Sequence, residues 1–339
     1  MKKKSKLKSV LSILLLVLIS GLVLYFSLKD NFEEIMNGII NANKLWLLVA
    51  LLFIILYWIF KALIFYRFTK KFKDDYSYKK AFKLQLVTNF FNAVTPFSSG
   101  GQPFQIYALK KQGVELTSST NIIIENFIVY QIALVSLGLI SIIANGFFHF
   151  FENAKLLSYL VTLGFIINTL VIIGLFVVAF AKKLNKFIVS KLIKVLAKMK
   201  IVKDEEKKRA DWDEYINNFH NGAKILISDK KFFLRAILDA FVALSCQYII
   251  PLFLLYSIGD YNSLMPHEAI VTSAYVMLVG SFVPIPGGTG GLEYSFVKFY
   301  GNFIGGSSLN VIMILWRVVT YYFGLIIGAI AVNIRDKEA

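Results

Sequence analysis

Apolar runs long enough to cross a bilayer dominate this chain. Residues 10–28, 45–60, 156–180 and 241–258 contain no charged side chain. Residues 121–143 carry one, Glu125, and residues 309–334 carry one, Arg317. A helix of about 20 apolar residues spans the hydrocarbon core, so these six runs predict six transmembrane helices. The composition agrees: 57% of the 339 residues are hydrophobic and 17% are charged, against about 25% charged in a soluble domain. A soluble enzyme, a disordered chain and a disulfide scaffold are thereby excluded. The single cysteine, Cys246, allows no internal disulfide. The first run follows lysines as a signal peptide would, but bulky residues at 25–28 replace a cleavage site, so it reads as a retained anchor.

Two further apolar stretches are interrupted. Residues 84–111 contain Pro96, Gly100, Gly101 and Pro103. Residues 269–304 contain Pro284, Pro286, Gly287, Gly288, Gly290 and Gly291. Proline removes a backbone donor and glycine weakens a helix, so each stretch should break in its middle. Broken backbone survives at membrane depth only when it is buried in protein or lines a cavity. Each stretch is therefore predicted to dip in and return as a re-entrant hairpin.

The cations test this arrangement. With the N-terminus inside and both broken stretches returning to the face they left, thirty of the 37 Lys and Arg fall on the inner side. Only Lys29, Lys44 and Lys155 fall outside. This is a strong positive-inside bias, and it would degrade if either stretch crossed completely. Both termini are expected in the cytoplasm of a multi-pass protein of the cell membrane. The net charge of +16 is then explained by topology and by anionic lipid, without nucleic acid. The chain divides into a first membrane half (1–180), a basic cytoplasmic linker (181–230) and a second half (231–334). Within the linker, Leu184, Ile188, Leu192, Val195 and Met199 share one helical face, the pattern of a helix lying on the membrane. Residues 204–221 read as a solvated helix.

The two breaks repeat each other. Shifting the sequence by 190 residues places Pro96 on Pro286, Gly100 on Gly290, Gly101 on Gly291 and Ser99 on Thr289. The first stretch enters from the cytoplasm and the second from outside, so the copies are inverted. Inverted repeats with discontinuous helices mark secondary transporters, whose sites lie at the breaks near the bilayer midplane. Helix N-termini offer unpaired N–H groups and partial positive charge. Ser98, Ser99, Gln102 and Thr289 add donors, and Gly287 and Gly288 allow close approach. Such tips suit a phosphate, although glycines also serve simple helix packing.

Ionisable groups inside apolar segments are costly and are usually paired or functional. Glu293 begins a half-helix, where it could cap. Arg317 could neutralise Glu293 or hold a phosphate. Asp239 is expected to pair with Arg235, one turn away. Glu125 has equal claims to a structural partner and to a proton. Asn89 and Asn92 precede the first break, where they can satisfy freed backbone groups or bind substrate. The three histidines form no metal cluster, no P-loop is present and no cofactor is called for. Only residues 335–339 follow the last run, so no soluble catalytic domain is expected.

The segments NFFNAVTPFSSGGQPFQIYAL, NIIIENF, FVPIPGGTGGLE and LWRVVTYYFGLIIG resemble the lysylphosphatidylglycerol synthase transmembrane-region family, over nearly the whole chain. One departure is Asn126, where many relatives have arginine. The resemblance implies movement of a phospholipid head group, such as phosphatidylglycerol or its lysyl derivative, between leaflets. It also implies ties to lipid metabolism and antibiotic resistance, room for a homo-oligomer, and a separate lipid-modifying synthase. In full-length relatives a soluble domain transfers lysine from lysyl-tRNA to phosphatidylglycerol, and these residues alone are not expected to do so. A small-solute or ion transporter is the alternative.

Overall fold

The computed structural model describes residues 32–151, 155–199, 204–281 and 283–334, and the regular elements among them are all helical. The run at 10–28 lies outside the described residues. After a short helix α1 (Phe32–Ile40), α2 (Lys44–Lys70) begins at Asn43, whose Oδ1 accepts the Leu45 N–H at 2.9 Å. There follow α3 (Tyr78–Ala93), α4 (Gly101–Lys111), α5 (Leu116–Phe148) and α6 (Lys155–Phe180), then α7 (Lys182–Lys198) and α8 (Glu205–Ser228). The second half contains α9 (Lys230–Tyr248), α10 (Ile250–Ser257), α11 (Pro266–Gly280), α12 (Gly291–Tyr300), α13 (Gly306–Arg317) and α14 (Phe323–Asn333). Five units are long and apolar enough to cross a bilayer: α2, α5, most of α6, α9 with α10, and α13 with α14. They coincide with five of the six apolar runs. The protein is thus a polytopic α-helical membrane protein.

The α2 helix runs antiparallel to α9 and α10. At one end the Asn43 N–H donates to Ser257 O at 2.6 Å and Trp46 packs on Tyr256 and Phe253. At the other end Lys71 pairs with Asp229 at 3.3 Å. Asp229 also caps α9 through the Phe232 N–H, and these two bonds hold its carboxyl below the usual carboxylate range. Between the ends, Arg67 of α2 pairs with Asp239 of α9. Asp239 therefore does not rely on Arg235, because the facing helix brings a cation to it while Arg235 stays exposed.

Each interrupted stretch folds as a helical hairpin. In the first, Phe91 of α3 stacks on Phe104 of α4 at 4.2 Å, and Lys73 Nζ donates to Gln112 O at 2.8 Å across its open end. In the second, Tyr300 of α12 donates to Ala269 O of α11 at 3.0 Å. The first hairpin opens beside the C-terminal end of α2, and Lys83 there reaches Ile334 O at 2.6 Å. The second opens at the far end of α5, where Phe150 meets His267 and Phe303. The two turns touch each other inside the bundle. Packing repeats with the sequence: α3 lies along α14, and its counterpart α11 lies along α5.

The linker departs from expectation in one helix. In α7 the predicted apolar face is not covered by the described residues, with Leu192 55% exposed, while Ile193 on the other side is buried. The second half of α8 is not solvated. Ile216, Phe219, His220 and Ala223 are buried there, and Gly222 packs so closely on α5 that an added Cβ would fall 2.2 Å from Asn121 Nδ2. The small residues Gly222 and Ala223 permit that approach, a use of small side chains common between membrane helices.

Candidate functional site

The repeat is visible in the backbone of the two tips. After Pro96, Phe97 and Ser98 adopt φ of 54° and 51°; after Pro286, Gly287 and Gly288 adopt 65° and 63°. These are the pairs that the 190-residue offset aligns. Both tips therefore use two successive left-handed residues to turn the chain. The second copy has glycine for this, while the first holds side chains in a region that disfavours them.

Several donors expected to face a ligand are already used. Gly100 N–H donates to Thr95 Oγ1 at 2.8 Å, and Gly101 N–H donates to Asn92 Oδ1 at 2.9 Å. Gly290 N–H donates to Glu293 Oε2 at 2.6 Å. Glu293 and Asn92 thus cap the half-helices. Thr289 Oγ1 turns back onto Pro286 O at 3.0 Å. Pro96, Gly100, Gly101, Thr289, Gly290 and Gly291 form the frame of the tips, behind the surface that a ligand would meet.

Arg317 stands at the end of α13, and only 5% of it is exposed. Its Nε lies 2.7 Å from Glu293 Oε1. Its Nη2 donates to Gly287 O at 3.1 Å and to Thr289 Oγ1 at 3.2 Å. Its guanidinium carbon lies 4.5 Å from the Tyr321 ring centre. Arg317 therefore ties the last span to the second tip and satisfies both the Glu293 carboxylate and a freed carbonyl. The next five residues, Val318–Tyr322, form a π-helical turn. Such turns interrupt the regular ladder and are frequent at functional sites. Here the turn places Tyr321 OH 3.1 Å from Ala93 O, at the foot of the first tip.

The tips border a cavity of about 590 Å³ in the middle of the bundle. Ser98, Ser99, Gln102, Gly287, Gly288 and Arg317 lie on its wall. The first hairpin lines it from Gln85 to Gln105, the second only near its break, from Met277 to Leu292. The space thus lies on the side toward which the first hairpin opens. Glu125 does not join it. Only 1% exposed, it sits on another face of α5, and neither carboxylate oxygen has a hydrogen-bond partner among the described residues.

The wall also holds residues that sequence reasoning did not assign to a site. Besides Asn89 and Asn92, which the sequence had offered as substrate contacts, carboxamides converge on it from several helices: Gln85 of α3, Asn126 and Gln131 of α5, Asn168 of α6 and Gln247 of α9. Lys61 of α2 is there too. The signal available was polarity inside runs of spanning length, and Lys61 stood directly after the apolar run 45–60.

Membrane-spanning helices, two broken hairpins that open at opposite ends and a cavity where their turns meet define a polytopic α-helical membrane protein. The chain belongs to the Lysylphosphatidylglycerol synthase TM region family, whose profile matches residues 11–328. It is also similar to a UPF0104 membrane protein of Archaeoglobus fulgidus, 26% identical over 322 residues that cover 94% of this chain and 95% of the relative.

Proposed function

We propose that the protein moves phospholipid head groups between leaflets. The observation that carries this reading is the cavity at the meeting point of the two tips, with Arg317 in its wall. In this reading the hairpins are re-entrant, the termini are cytoplasmic and the cavity faces inward, and the positive-inside count supports it. Head groups enter the cavity while acyl chains remain in the bilayer. Arg317 meets the phosphate, to which a planar guanidinium is suited, and Ser98, Ser99 and Gln102 add donors. The partners are membrane phospholipids of the cell membrane and, as the family name suggests, a separate lipid-modifying synthase. Opening toward the outer leaflet proceeds by movement of one repeat against the other.

A second reading rests on Glu125. A buried carboxyl without a partner suits a proton or small cation, which makes the protein an ion or solute transporter or couples an ion to lipid movement. Reconstitution in sealed vesicles separates the readings. Lipid movement is expected to exceed that of protein-free vesicles and to fall at least tenfold in Arg317→Ala. Flux that depends on a proton gradient, without lipid movement, supports the second reading instead.

A further inference from the structure

The cavity wall carries two cations and, among the described residues, no carboxylate. Arg317 is engaged by Glu293, which lies behind the wall. Lys61 is different. It stands nine residues before the end of α2, roughly 13 Å along the helix, too deep for its head to reach the interface easily. Its Nζ lies 5.3 Å from the ring centres of both Tyr57 and Tyr130. No acidic side chain lies within ion-pair distance of it among the described residues. Two aromatic faces offset part of the cost of a cation there, but they leave its N–H donors without an acceptor. An intramembrane lysine that faces a cavity marks a ligand path, and an anion there would accept from its free N–H donors.

We infer that Lys61 is a second phosphate contact of the cavity beside Arg317, and that the cavity selects an anionic head group, as in phosphatidylglycerol, over its lysylated form. The inference rests on the transport reading above and sharpens it. A lysyl ester adds two ammonium groups to one phosphate. Those groups would face Lys61 with no carboxylate in the wall to receive them, a like-charge juxtaposition of the kind that excludes wrong partners.

The test uses the full chain in sealed vesicles with three lipids bearing the same fluorescent acyl chain: phosphatidylglycerol, lysylphosphatidylglycerol and phosphatidylcholine. Phosphatidylglycerol is expected to cross at least tenfold faster than the lysyl lipid. Lys61→Met should remove that preference, Lys61→Arg should keep it, and Lys61→Glu should turn it toward the lysyl lipid, with melting temperatures of the variants checked alongside. Equal or faster movement of the lysyl lipid by the parent chain, or a ratio unchanged by Lys61→Glu in a folded protein, overturns the inference. A chain that moves none of the three overturns the transport reading. Native mass spectrometry of the solubilised chain then reads the preference separately. Retention of phosphatidylglycerol over the lysyl lipid supports the inference, and equal or reversed retention overturns it.

Discussion

Gly287 turns the second tip with a φ of 65°, and a Cβ added there would fall 2.3 Å from the Tyr321 ring. Gly287→Ala is expected to lower stability by more than the roughly 1–2 kcal/mol that left-handed backbone costs an alanine, read as a fall in melting temperature in detergent. The first tip offers the converse. Ser98 holds φ of 51° with a side chain, so Ser98→Gly should leave melting unchanged or raise it, while Ser98→Val should lower it. The Glu293–Arg317 pair gives a third test. Arg317→Gln leaves a buried carboxylate without its counter-charge, a loss of about 3–5 kcal/mol. The double variant Glu293→Gln/Arg317→Gln should recover part of that loss; equal melting of the single and double variants would argue against the pairing. At this scale the sequence showed the repeated proline and glycines because their chemistry is local. Phe97 and Ser98 gave no sign of left-handed backbone, since the twin turn imposes it. Lys61 was visible as a cation next to an apolar run, but the wall it faces is assembled from helices far apart in sequence.

The apolar runs translate directly into helices because each must satisfy its backbone internally, and five of them are present, though the helices at 44–70, 116–148 and 230–257 extend well past the predicted runs. What hydropathy does not report is where a helix breaks its ladder or which neighbour it faces. The π turn at Val318–Tyr322 lies inside an unbroken apolar run. Asp239 found Arg67 rather than Arg235, and α8 buries a face that looked solvated, because long-range packing decides both. For α7 the sequence pattern and the structure agree on an apolar face that none of the described residues covers. If that face rests on lipid, an environment-sensitive fluorophore at Leu192→Cys, in a Cys246→Ser background, should emit further to the blue in bilayer discs than the same probe at Lys191→Cys. Equal emission at both positions would place α7 in water.

At the scale of the whole molecule, the sequence repeat and the packing describe one arrangement. Two hairpins open at opposite ends of a bundle, pack on equivalent spans and meet at their turns. The proposed transport path and its opening toward the cytoplasm depend on those hairpins returning to the face they left. Lys80 and Lys110 flank the first hairpin, His267 and Asn302 flank the second, and all four are exposed. The decisive measurement is the labelling of single cysteines at these positions, on the Cys246→Ser chain in intact cells, by a reagent that does not cross the membrane. Labelling at 267 and 302 from outside, with 80 and 110 reached only after permeabilisation, is the predicted result. Labelling of one member of either pair from each side would mean that a hairpin crosses the membrane, and would contradict the account.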